Sequence, residues 1–314
     1  MLNLIKKVPI PMSGLALAFA SLGLNLEIVL VQFSGLAFIA KFICGTLAVC
    51  ILLGIALRVV FDWKGICEDY KQCAIWTVTP TFFMACMILA VYLKPYISSV
   101  AFVLWACALA LQLMWVFAFF WRYLRGFSMN NILPSWFIVS VGYVVGTVTS
   151  VAFNMAGVGI VLLYLGLLGF LMCLPLVLYR FFIVKGLLPP QQPLAGIFLA
   201  PANLCLAGYL SLVGAGVLDT YWILIGALLV LSVLSFVLYA LYCVPRMFKR
   251  FYPSFSAFTF PIVITSVAYT HLSQLLMPQL SPVATAFQVM ATCVVLFVFA
   301  RYLIFLFAPP KPAV

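Results

Sequence analysis

The chain has 314 residues, of which 68% are hydrophobic and 7% are charged, with a net charge of +11 and a mean hydropathy of +1.30. A water-soluble protein has about half apolar and about a quarter charged residues, so this composition excludes a soluble globular protein. One membrane-spanning helix needs roughly 20 apolar residues, which leaves room for about ten such helices. The sequence therefore predicts a single all-α transmembrane domain over residues 1–314, with no soluble domain.

Apolar segments bounded by charged residues, proline and glycine predict ten transmembrane helices. The connections after the second, fourth, sixth and eighth helices are longer and basic, and the others are short, which is typical of five consecutive helical hairpins. The first segment also has features of a signal peptide, but it continues to about Val31 and is assigned as the first helix. The predicted helices cover residues 8–31, 35–58, 74–93, 97–121, 132–154, 157–179, 194–214, 220–243, 254–277 and 282–306.

The basic residues lie mostly at one set of helix ends. Of the 16 Lys and Arg residues, only Lys41 and Lys94 fall on the other side. Because cytoplasmic loops carry the excess of Lys and Arg, this distribution predicts that both termini face the cytoplasm. The residues assigned to the cytoplasmic side are Lys6, Lys7, Arg58, Lys64, Lys71, Arg122, Arg125, Arg180, Lys185, Arg246, Lys249, Arg250, Arg301 and Lys311.

Each odd-numbered predicted helix has a proline in its first half. A proline removes one backbone N–H donor and clashes with the preceding turn, so the helix bends. In lipid, such backbone is tolerated only where protein or a water-filled cavity satisfies the free groups. The pattern favours a quasi-repeated arrangement with odd helices in one ring and even helices in another; chance among 18 prolines is the alternative. The prolines are Pro11, Pro80, Pro134, Pro201 and Pro261.

Groups suited to catalysis or proton transfer are lacking at membrane depth. No carboxylate lies well inside a predicted helix, and the single histidine, His271, lies toward one end of the ninth helix. This composition disfavours an enzyme and a proton relay. The ten cysteines are scattered singly without a C-x-x-C motif, so no disulfide framework or zinc site is predicted. We expect no cofactor, no metal and no nucleic-acid partner.

The odd helices instead carry uncharged polar and small residues. Hydroxyl groups and bent backbone are suited to a pore with a weak field, and a basic rim concentrates anions. The sequence therefore predicts an anion path, although hydrogen bonding between helices is the alternative for any single Ser or Thr. The candidate pore-lining residues are Pro11, Ser13, Gly14, Thr79, Pro80, Pro134, Thr147, Pro201, Asn203, Thr259 and Pro261.

Four motifs, in the first, fifth, seventh and ninth helices, resemble the tellurite-resistance/dicarboxylate transporter family, which includes the bacterial TehA proteins and the plant slow anion channels. The resemblance implies ten helices in a quasi-fivefold arrangement, with odd helices lining a pore through each protomer and three protomers forming a homotrimer. The motifs are Pro11-Met-Ser-Gly14, Leu133-Pro134-Ser-Trp, Leu199-Ala-Pro201-Ala-Asn203 and Phe258-Thr-Phe260-Pro261.

The same resemblance places a pore gate at Phe260, because a phenylalanine of the ninth helix closes the pore in the family. An aromatic ring across a narrow uncharged pore makes the passage of a hydrated anion costly. The leading hypothesis is an anion channel or channel-like uniporter for small anions such as chloride and nitrate, in the inner (plasma) membrane. The alternatives are a secondary carrier that exports dicarboxylates such as malate, and a tellurite-resistance exporter.

Overall fold

The computed structural model describes residues 2–308, and that range contains helices and no strand. Ten helices are long and apolar enough to cross a membrane, which confirms the predicted number. Lys311, one of the residues assigned to the basic side, lies outside the described range. The helices are Ile10–Val29 (α1), Ser34–Phe61 (α2), Cys73–Leu93 (α3), Ser98–Arg125 (α4), Trp136–Phe153 (α5), Ala156–Val184 (α6), Pro189–Gly214 (α7), Trp222–Met247 (α8), Pro253–Leu275 (α9) and Pro278–Phe307 (α10).

The helix ends differ most from the predicted ones between α6 and α7. α6 continues through a π-helical turn, Tyr179–Val184, and α7 begins with a 3-10 helix of 11 residues, Pro189–Leu199. The arginine in the first segment and the prolines and glutamines in the second weaken the apolar signal, although the backbone stays helical. Three short helices lie outside the ten long ones: Leu2–Ile5, Trp63–Asp69 and Met129–Asn131.

Odd-numbered and even-numbered helices differ in burial. In the most apolar stretch of each odd helix, 56% to 94% of the residues are buried within the protein, against 22% to 33% for the even helices. Each odd helix contacts the next odd helix, and α9 contacts α1, so the five form a closed ring. The even helices pack outside this ring; α2, for example, contacts α1 and α3, and α10 contacts α9 and α1.

In four of the odd helices, α1, α3, α7 and α9, a proline lies within two residues of the point at which the helix type changes. α1 changes from 3-10 to α-helix at Ser13, α7 at Ala200 and α9 at Thr259. α3 is interrupted after Val78, and its main α-helix starts at Pro80. Pro261 therefore lies in the first turn of an α-helix and not in the expected helix interior. A proline is well tolerated there because first-turn N–H groups have no partner within the helix.

A buried polar cluster joins the first and last helices of the ring to α10. The Asn25 amide of α1 donates to Ser266 Oγ of α9 at 2.9 Å, and this hydroxyl donates to Gln288 Oε1 of α10 at 2.8 Å. The three side chains are at most 4% exposed. In a membrane protein such bonds between helices contribute about 0.6 kcal/mol on average and at most about 2 kcal/mol.

We expect Ser266→Ala to lower the thermal unfolding temperature of the purified protein in detergent, because the hydroxyl links α9 to α1 and α10. Ser273→Ala is the matched control: Ser273 is also buried in α9, but its hydroxyl donates at 2.9 Å only to the Thr270 carbonyl of its own helix. The measurement is intrinsic fluorescence during heating. Equal unfolding temperatures for the two variants would contradict a role of the cluster in joining helices.

Candidate functional site

A small cavity lies at the centre of the ring, and all five odd helices contribute to its wall. The space open to the centre of a water molecule is about 40 Å³, which is room for about three waters. Most wall residues are apolar, and Thr81 and Ser256 are the hydroxyl-bearing ones. The wall consists of Pro11, Gly14, Val78, Thr81, Met84, Phe137, Ile138, Val141, Gly142, Ile197, Ala200, Pro201, Leu204, Ser256, Ala257, Phe260 and Pro261.

A larger and more polar cavity, which we call the vestibule, opens where the odd helices begin. Its volume is about 480 Å³, and residues at or just before the first turn of all five odd helices line it. Pro11 and Val78 line both the vestibule and the central cavity, so the two spaces meet at these side chains. The uncharged polar residues of its wall are Gln72, Asn130, Asn131, Gln191 and Ser254.

The charges at the vestibule wall are arranged around Arg58. Its guanidinium contacts Asp69 Oδ2 at 2.7 Å and Asp62 Oδ2 at 3.5 Å, and it donates to the Val8 carbonyl at 2.9 Å. The arginine is 8% exposed, so these contacts supply the partners that a buried charge requires. The contacts fix the start of α1 to the end of α2 and to the short helix Trp63–Asp69. Within the described wall, Arg58 is therefore a neutralised charge.

Phe260 lies at the wall of the central cavity, in the first turn of the α-helical part of α9. Two neighbouring phenylalanines are held by other rings: Phe258 packs against Phe255 at 5.2 Å and against Tyr239 at 6.5 Å between ring centroids. Among residues 2–308, no aromatic ring forms such a pair with Phe260. Phe260 is 6% exposed and lies at a cavity wall that is mainly apolar.

The structure brings five of the predicted site residues to this cavity and leaves seven away from its wall. Those at the wall are Pro11, Gly14, Pro201, Phe260 and Pro261. The other seven are buried in or beside the odd helices but do not line the cavity. They are Ser13, Thr79, Pro80, Pro134, Thr147, Asn203 and Thr259.

The polar members of the second group pair with backbone or with other helices. Thr147 Oγ1 donates to the Gly159 carbonyl of α6 at 2.9 Å. Asn203 accepts a hydrogen bond from Ser232 of α8 at 2.8 Å. Thr259 Oγ1 donates to the Ser256 carbonyl at 2.7 Å. Thr147 and Asn203 thus link neighbouring helices, and the Thr259 hydroxyl bonds within its own helix. For Thr147, this is the alternative that the sequence analysis gave for any single Ser or Thr.

Ser13 and Thr79 lie beside a cleft at the side of the ring, lined also by residues of α2 and α4. Ser13 Oγ is 2.7 Å from Thr81 Oγ1, and Thr79 Oγ1 is 3.0 Å from the hydroxyl of Tyr70. Burial raises the pKa of Tyr70, so its hydroxyl stays protonated at neutral pH. The hydroxyl pair between Ser13 and Thr81 holds α1 against α3 next to the central cavity.

Most of the wall residues absent from the predicted list are apolar, and Thr81 and Ser256 are the exceptions. Val78, Thr81 and Met84 of α3 follow one another at three-residue spacing and share one face of the helix. Helical spacing from a proline is the one signal available for the residues that the list omits: Met84 lies four residues after Pro80, and Leu204 lies three residues after Pro201. Without knowledge of the face that turns inward, this spacing does not select them.

A family model described as voltage-dependent anion channel, SLAC1, matches residues 8–303. The chain belongs to the SLAC1 family. This family includes the TehA proteins and the plant slow anion channels, so the sequence resemblance is confirmed. Its members are anion channels or transporters, and the chain is accordingly a multi-pass membrane protein of that class. Among curated proteins, none matches the chain.

In this SLAC1-family protein, a close approach of α7 to α9 supports the position of Phe260. A Cβ atom added to Gly196 would lie 2.6 Å from the Ala257 carbonyl oxygen, and Ala257 is part of the cavity wall. In a continuous α-helix this carbonyl would accept from residue 261, which is a proline without an N–H group. Gly196 therefore lets α7 lie directly against the segment that precedes Phe260.

We expect Gly196→Ala to destabilise the protein by about 1–3 kcal/mol, because the added methyl group must displace backbone. Gly226→Ala is the control, since a Cβ atom at this exposed position of α8 meets no atom within 4 Å. The control is expected to leave stability unchanged or to raise it slightly. Unfolding temperatures in detergent, measured side by side, test the difference. A Gly196→Ala protein as stable as wild type would contradict the close approach.

Proposed function

We propose that the protein is an anion channel or channel-like uniporter for small anions such as chloride and nitrate, with Phe260 as the pore gate. The observation that carries this proposal is the position of Phe260 at the wall of a small, mainly apolar cavity enclosed by the five odd helices. The polar vestibule adjoining that cavity supplies an entrance. Membership of the SLAC1 family supplies the class of transported ion.

Two electrostatic features support anions as the permeant species. All five odd helices begin at the vestibule, and the amino-terminal end of a helix is the positive end of its dipole. The excess of Lys and Arg on the same side adds a positive rim, which raises the local concentration of anions. By the positive-inside rule, we assign the vestibule and both termini to the cytoplasm. We also propose the inner (plasma) membrane as the location of the protein.

The size and chemistry of the central cavity support a closed state. Room for about three waters is too little for an anion with its hydration shell, and the aliphatic wall offers few groups to replace that shell. A hydrophobic constriction of this kind blocks conduction by excluding water. Movement of the Phe260 ring away from the cavity widens the path, and the ring has no aromatic partner among the described residues to hold it.

The remaining parts of the proposal concern the assembly. We propose a quasi-fivefold arrangement of five helical hairpins, with the odd helices around a pore in each protomer and three protomers in a homotrimer. The closed ring of contacts among odd helices supports the first part, and the family resemblance supports the second. The partners are small anions and the lipid bilayer.

We expect Phe260→Ala to raise anion conductance in oocytes or planar bilayers at least several-fold, with little change in cation flux, because the truncation removes the ring from the constriction. Phe258→Ala is the matched control: it removes the same ring from the same helix, but Phe258 lies outside the cavity wall. A folded Phe260→Ala protein with wild-type conductance would overturn the gate. Equal increases for the two variants would show a general loosening of the helix.

The choice between channel and carrier is tested by currents from purified protein in bilayers with chloride, nitrate or malate gradients. For a channel, we expect reversal potentials of Phe260→Ala to follow the gradient of a small anion. Electrically silent exchange or saturable counterflow of malate would favour the dicarboxylate carrier instead.

A further inference from the structure

The side chain of Gln112 is a buried amide without a hydrogen-bond partner. It belongs to α4, an outer helix that is otherwise mostly apolar, and it is 0% exposed. Neither Oε1 nor Nε2 has a hydrogen-bond partner among the described residues. Burial of an unpaired amide typically costs about 1–3 kcal/mol, so a structural role alone does not account for a glutamine here.

The amide lies directly behind the wall of the central cavity. A Cβ atom added to Gly142 of α5 would be 3.3 Å from Gln112 Nε2 and 2.9 Å from Met84 Sδ. Both Gly142 and Met84 line the cavity. Only Gly142, which has no side chain, and the flexible side chain of Met84 therefore separate the amide from the space next to Phe260.

The backbone of α5 is interrupted at the same place. The α-helix Trp136–Val141 ends there, a 3-10 turn covers Gly142–Val144, and Val141 has φ −130°. Any side chain larger than hydrogen at Gly142 would occupy the gap between the cavity and the amide. The glycine thus keeps open a route from the inner ring to a residue of the outer ring.

The cavity wall itself has few free donors for an anion. The Thr81 hydroxyl already donates to the Val78 carbonyl at 2.7 Å or shares its proton with Ser13. An anion that loses part of its hydration shell needs N–H or O–H donors in exchange, and hydrogen bonds to charged groups are the stronger ones. The two N–H groups of Gln112 are unused donors at the required position.

We propose that the Gln112 carboxamide is an anion-binding group of the central cavity, reached when the Met84 side chain turns aside. The ligand is a small monovalent anion that has shed part of its water. Met84 has the flexibility for this movement, because its unbranched side chain contains three rotatable bonds. The proposal rests on the proposed function. It states that Gln112, a residue of an outer helix, stabilises the ion beside the gate.

The test measures anion binding without conduction. Thermal unfolding of purified protein is followed against nitrate or chloride concentration, with gluconate at equal ionic strength as the reference salt. It uses wild type and Phe260→Ala, whose larger cavity admits the ion whether or not Phe260 is the gate. Gln112→Leu has a similar size and no donor, and we expect it to weaken the apparent anion affinity about ten-fold or more. Gln112→Met replaces it if the leucine variant does not fold.

A second pair of variants tests the route past Met84. Met84→Ala opens the wall in front of the amide, so we expect tighter anion binding and a higher conductance. Met87→Ala is the matched control, because Met87 is also fully buried on α3 but does not line the cavity. In the double variant Met84→Ala/Gln112→Leu the gain is expected to disappear, since the donor is gone.

Three outcomes would overturn the proposal, and the first two concern the variants. In one, anions stabilise the Gln112→Leu protein as much as the wild type, and Gln112→Leu likewise makes no difference in the Phe260→Ala background. The other is a gain in Met84→Ala that persists in the double variant. Failure of the gate is distinguishable, because Phe260→Ala would then conduct like wild type while the binding titration still depended on Gln112. A change in unfolding temperature that is the same in nitrate and gluconate would show a structural role only, and would also overturn it.

Discussion

In a hydrocarbon environment, every backbone N–H and C=O group must find its partner within the protein. This constraint explains where most of the irregular backbone of the chain occurs. In the outer helices, irregular backbone is limited to π-helical turns near the ends of α6 and α8 and a short 3-10 segment at the start of α10. The 3-10 segments of α1, α7 and α9 and the interruption of α3 and α5 all lie in the inner ring, beside other protein or the cavities. The outer helices α2 and α4, in contrast, each contain 28 residues of continuous α-helix. The central cavity thus lies in the part of the fold in which imperfect helices are tolerated.

Hydrophobicity and proline positions were sufficient to predict the number of helices, since both report directly on the cost of exposing backbone to lipid. They could not determine which face of each helix turns toward the centre. Thr79 and Thr81 show the difficulty: both are hydroxyl residues next to Pro80, yet only Thr81 lines the cavity. A sequence gives the angle between two side chains on a helix, but the orientation of the helix depends on packing with its neighbours.

The site was hard to predict for a second physical reason. A hydrophobic constriction functions through the absence of polar groups, so its wall carries no chemical signature. Phe258 and Phe260 are alike in the sequence, and only the ring contacts of Phe258 separate the anchored ring from the one at the cavity. Gln112 is even harder to predict from the sequence, because its relation to the cavity depends on Gly142, which lacks a side chain and lies on a different helix. Contacts of this kind have no local sequence pattern.

The cluster that joins Asn25 to Gln288 has a consequence for biosynthesis. The two residues are 263 positions apart, and they belong to the first and the last of the ten helices. During synthesis, helices enter the membrane in order, so the Asn25 amide of α1 has no Gln288 partner until α10 has been inserted. Because the ring closes through the contact between α9 and α1, its closure has to await the ninth of the ten helices, and the polar cluster is complete only with the tenth.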